Sequence, residues 1–64
     1  MNGSTEPTGI LVIRVWFEQR RLRARVRCSL DIERDPEVVT VVGSAVEIQA
    51  TVADWLHSFT KIAR

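Results

Sequence analysis

Sixty-four residues with a formal net charge of +1 leave room for one small domain, and a chain this short buries only about 60% of the surface it exposes when unfolded. That size excludes a multidomain enzyme, a doubly wound nucleotide-binding fold and a barrel. Hydrophobic residues make up 45% and charged residues 27%, so the chain has the apolar content that a folded core requires and wholesale disorder is not expected.

Residues 1–9 carry Gly, Ser, Pro and Thr without periodicity and read as a mobile leader ahead of a single domain over 10–64. The leader has no positive side chain and no apolar run, so it is not expected to act as a signal peptide. From Ile10 to Glu18, Leu11, Ile13, Val15 and Phe17 recur with period two and are rich in β-branched and aromatic types. That pattern predicts a strand, whose other side holds Ile10, Val12, Arg14 and Trp16. Gln19, Arg20 and Arg21 then turn the chain without Gly or Pro, which predicts a loose hairpin with an open register.

The second strand, over 22–32, is the most legible element. Leu22, Ala24, Val26, Cys28 and Leu30 alternate with Arg23, Arg25, Arg27, Ser29 and Asp31. Successive strand side chains point to opposite faces, so one face is apolar and the other opens with three arginines in a row. Residues 33–36 (Glu-Arg-Asp-Pro) form a second turn. Residues 37–43 form a third strand, apolar on both sides except at Thr40. Ser44 and Glu47 then have the spacing of a capping box. Beyond it Ile48, Val52, Trp55, Leu56, Phe59 and Ile62 repeat at three and four, an apolar stripe about 120° wide on a helix. The expected fold is therefore α+β. It is a three-stranded antiparallel meander with one C-terminal helix packed on one face, and its core is Leu11, Ile13, Val15, Phe17, Leu22, Ala24, Val26, Cys28, Leu30, part of strand three and the helical stripe.

The charges are segregated. Residues 14–27 hold six arginines and one glutamate, whereas residues 31–55 hold six acids and one arginine. A near-neutral total thus conceals a basic hairpin and an acidic remainder. One helix covers one face, so the other presents Arg14 and Trp16 beside Arg23, Arg25 and Arg27, the candidate binding patch. Two occupants suit it. A second copy of the chain would bury the apolar residues there, or pair edge to edge along the valine-rich third strand, making the protein a small self-associating interaction module. Alternatively, guanidinium groups spaced at the strand repeat would meet nucleic-acid phosphates while Trp16 stacks on a base.

Catalysis is not expected. His57 has Asp54 and Ser58 nearby, but Ser58 lies about 100° around the helix from it, and all three fall on the solvent side. Cys28 faces inward and reads as a small apolar group. One Cys and one His make no metal cluster, and three dispersed glycines make no phosphate loop, so neither a cofactor nor a small-molecule substrate is inferred. The longest apolar run, residues 10–13, is far short of a membrane span. A lone cysteine forms no internal disulfide, for which the default compartment is the cytoplasm.

Overall fold

The computed structural model describes residues 6–62. Three strands, β1 (Ile10–Glu18), β2 (Arg21–Ser29) and β3 (Val38–Val42), precede one helix, α1 (Ala45–Ile62). The strands form one antiparallel sheet in the order β1-β2-β3, as the alternating pattern predicts.

The first hairpin is tighter than its sequence suggests. Glu18 pairs with Arg21, so only Gln19 and Arg20 form the loop, and both have positive φ, 52° and 67°. Two left-handed residues in a two-residue loop are the type I′ geometry, whose twist matches that of the strands it joins. The loose turn expected at 19–21 is thus corrected, and Arg21 belongs to β2. Sequence inspection misses the turn because neither residue is Gly, Asn or Asp, the types that adopt this conformation at low cost.

β2 also stops earlier than its alternation implies, at Ser29 rather than residue 32. The Ser29 side chain, 5% exposed, ends it. Its hydroxyl accepts from the Asp31 N–H (3.2 Å) and reaches the carbonyls of Asp31 (3.0 Å) and Asp35 (3.1 Å). The Asp31 carboxylate accepts from the Glu33 N–H at 3.0 Å, and the Asp31 carbonyl accepts from the Asp35 N–H at 2.8 Å. These side-chain bonds offer the backbone an alternative to the ladder. Leu30, Asp31 and Ile32 therefore leave the sheet, and the Ile32 N–H bonds to the Thr8 carbonyl at 2.9 Å.

The capping box at the start of α1 forms as expected, with one change of partner. The Glu47 N–H donates to Ser44 Oγ (3.1 Å), while the Gly43 N–H, one residue ahead of the cap, donates to Glu47 Oε1 (2.8 Å). The first bond satisfies an amide that the opening turn leaves without a helical partner, and the second ties the residue ahead of the cap to that turn.

α1 crosses the sheet obliquely. Its start lies at the Leu22 end of β2, where a Cβ on Gly43 would sit 3.8 Å from the Leu22 carbonyl oxygen. Its later turns lie at the foot of β1, where a Cβ on Gly9 would meet Trp55 Cζ2 at 2.8 Å and the Phe59 ring at 3.0 Å. Gly9 is there because nothing larger fits beneath the stacked Trp55 and Phe59 rings, whose centroids are 5.3 Å apart. A helix of 18 residues is about 27 Å long, enough to run from one corner of the sheet to the opposite one.

The diagonal leaves two corners open. Ala24 and Val26, at the centre of the sheet, are fully buried, and Leu11, Ile13, Leu22 and Cys28 are half-buried. On β1 beyond the crossing, Val15 is 53% and Phe17 is 73% exposed, which corrects their expected place in the core. The opposite corner, between Cys28, Leu30, Pro36, Val38 and Trp55, is an apolar hollow of about 300 Å³. On α1 the packed arc is Ile48, Val52, Trp55 and Phe59, while Leu56 and Ile62, expected in the stripe, are exposed. The indole N–H of Trp55 is buried, with no acceptor among the described residues.

Candidate functional site

The sheet face away from α1 is assembled by register. Even-numbered residues of β1 and odd-numbered residues of β2 and β3 share it, because Arg14 pairs with Arg25, Trp16 with Arg23 and Val12 with Arg27, while Arg25 and Arg27 in turn oppose Val41 and Val39. All five patch residues predicted from the sequence, Arg14, Trp16, Arg23, Arg25 and Arg27, are therefore neighbours on one surface. Arg21 extends the row by one place. The signal for it is in the chain, since the alternation of arginine begins at residue 21, but assigning that residue to the turn hides it.

Along β2 the guanidinium-bearing positions repeat every second residue, about 6.7 Å apart. Apolar side chains flank this row on both sides, with Ile10, Val12 and Trp16 on β1 and Val39 and Val41 on β3. The Arg14 guanidinium lies over the Trp16 ring, 5.9 Å from its centroid, at the outer limit of a cation–π contact. Val12, Arg14, Arg25 and Arg27 line a shallow hollow of about 240 Å³.

None of these arginines is neutralised within the described part of the chain. The one ion pair among the described residues joins Arg34 to Asp31, at 4.0 Å in the second turn. Glu18, the single acid on the face, lies at the hairpin end opposite Arg21. Arg23 Nε is buried without a hydrogen-bond partner. Arg14 and Arg25 stand directly across from each other, and like charges so placed destabilise a sheet. The isolated fold thus carries an electrostatic cost that an anion would remove.

The other candidates considered from sequence remain dispersed. His57 is exposed on the outer side of α1, and Cys28 is half-buried on the opposite face of the sheet from the arginines. Among the described residues no group of three or more His, Cys, Asp or Glu side chains is placed to hold a metal ion. No helix there is long and apolar enough to cross a membrane. Comparison with protein-family models, curated proteins and solved structures finds no match to this chain.

Proposed function

We propose that this protein is a small, non-enzymatic interaction module of the cytoplasm that forms a homodimer by antiparallel pairing of β3 with β3 of a second copy. The carrying observation is the character of that edge. β3 has β2 on one side only, and among the described residues no other segment hydrogen-bonds to its backbone. Its sequence, Val-Val-Thr-Val-Val, holds no charge and no proline, and every residue but Val42 is exposed. Natural edge strands are usually blunted by charge, proline or a bulge, and an edge lacking all three is a template for another strand. The cytoplasmic placement rests on the single cysteine, Cys28, which is a free thiol.

Self-association through the arginine face is disfavoured by its charge. A twofold axis through that face would press five arginines against their own copies, with only Glu18 at the hairpin end to offset them. Edge pairing avoids this, because antiparallel strands of one sheet are related by an axis perpendicular to the sheet. A register centred on Thr40 sets Val38 opposite Val42 of the second copy and Thr40 opposite Thr40. Five-residue strands form few bonds against the entropic cost of association, so a dissociation constant on the order of 10–100 µM is expected.

The test is light scattering over about 10–500 µM, with the wild type moving from monomer to dimer. Thr40→Lys and Thr40→Glu each place like charges across the axis and should be monomeric throughout. An equimolar mixture of the two should dimerise again. A wild type that stays monomeric at the highest concentration, or a mixture that does not recover, overturns the proposal.

A further inference from the structure

Among the described residues no ion pair reaches the arginine face, and it is a surface separate from the β3 edge. We propose that it is a binding surface for single-stranded nucleic acid, with phosphates along the β2 arginine row and bases on the apolar positions beside it. Three properties of the face lead there. First, Arg21, Arg23, Arg25 and Arg27 form a straight line of cationic positions on the central strand, and its repeat of about 6.7 Å is comparable to the separation of successive phosphates in an extended strand. Second, Arg14, Arg25 and Arg27 converge with Val12 on one hollow of about 240 Å³, where three guanidinium groups meet and no acid lies among them. A phosphate seated there receives charge-assisted hydrogen bonds and relieves the Arg14–Arg25 repulsion.

Third, apart from Arg14 and Glu18 on β1, the side chains bordering the cationic row are apolar on both neighbouring strands. A single strand exposes the flat faces of its bases, which stack on apolar and aromatic surface without sequence preference. A duplex hides those faces and offers polar groove edges, for which this surface has few acceptors and donors besides the arginines. Trp16 supplies the aromatic platform, with Arg14 beside it. An acidic polypeptide would satisfy the charges but leave Trp16, Val39 and Val41 without a matching partner.

The probe is a fluorescein-labelled oligothymidylate of about fifteen nucleotides, titrated with the full chain and read by anisotropy at two salt concentrations. A duplex of equal length and polyglutamate are run as competitors. Engagement of three to four phosphates gives a slope of log K against log salt of about −2 to −3, so raising salt from about 50 to 150 mM weakens binding roughly 10- to 20-fold. Quenching of tryptophan emission on binding should vanish in Trp16→Phe, since Trp55 lies on the other face. Arg25→Glu with Arg27→Glu should abolish binding, while Arg25→Lys with Arg27→Lys keeps the salt slope. Both residues are exposed, so circular dichroism should show these variants folded, and Arg34→Glu, distant in the second turn, should bind as the wild type does. Absence of binding at low salt overturns the inference. So does a duplex or polyglutamate that competes as well as the single strand, or charge reversal without effect. The Thr40→Lys monomer should retain the site, which separates this result from the fate of the edge dimer.

Discussion

Val26 and Phe17 invert the usual relation between side-chain size and contribution to stability, and the inversion tests the oblique helix directly. Val26 sits at the centre of the sheet, paired with Ile13 and Thr40, and is fully buried. Val26→Ala removes two carbons, about 1.6 kcal/mol in transfer free energy at about 0.8 kcal/mol each. The cavity left behind brings the loss to about 2–3 kcal/mol. A domain of this length has a total stability of roughly 3–10 kcal/mol, so the variant should melt roughly 10–20 °C lower. Phe17 is the larger side chain but is 73% exposed. Phe17→Thr keeps a strand-favouring residue and should cost less than about 1 kcal/mol. Urea unfolding followed by circular dichroism measures both, with thermal melts as a second reading. A Phe17→Thr loss equal to that of Val26→Ala would mean that the β1 corner is covered after all. If that loss is independent of protein concentration, the helix lies over it and the diagonal placement is wrong.

Two further outcomes follow from the backbone. Replacing Gln19 and Arg20 by Asn and Gly puts residues suited to left-handed φ into the type I′ turn and should stabilise the domain by about 1 kcal/mol, read as a higher urea midpoint with unchanged slope. Gly9→Val drives a branched side chain into the Trp55 and Phe59 rings, whose nearest atoms lie 2.8–3.0 Å from the position of a Cβ. A loss of about 1–3 kcal/mol is expected, accompanied by a change in Trp55 emission. A neutral result would show that α1 does not press on the start of β1.

Much of the fold is legible in local chemistry. Period-two alternation at residues 10–18 and from 22 onward marks β1 and β2 because strand geometry forces opposite faces apart. The Ser44–Glu47 spacing marks the helix start because two orphan amides need those oxygens. The same alternation places Arg14, Trp16, Arg23, Arg25 and Arg27 on one surface before any coordinate is known. It is silent where residues depart from habit. Gln19 and Arg20 adopt a conformation that their types disfavour, and the Ser29 hydroxyl diverts a chain whose apolar alternation continues through Leu30.

The amino-acid pattern alone thus determined which side chains share a face, since parity along a strand depends only on covalent geometry. Only the tertiary structure decided how far each face is covered. That depends on the angle at which α1 crosses the sheet, and the angle is set by non-local contacts: Gly43 against Leu22 at one end, Gly9 beneath Trp55 and Phe59 at the other. Val15 and Phe17 have the same sequence signature as Leu11 and Ile13, yet lie outside the helix's path because a straight helix cannot shield both ends of β1.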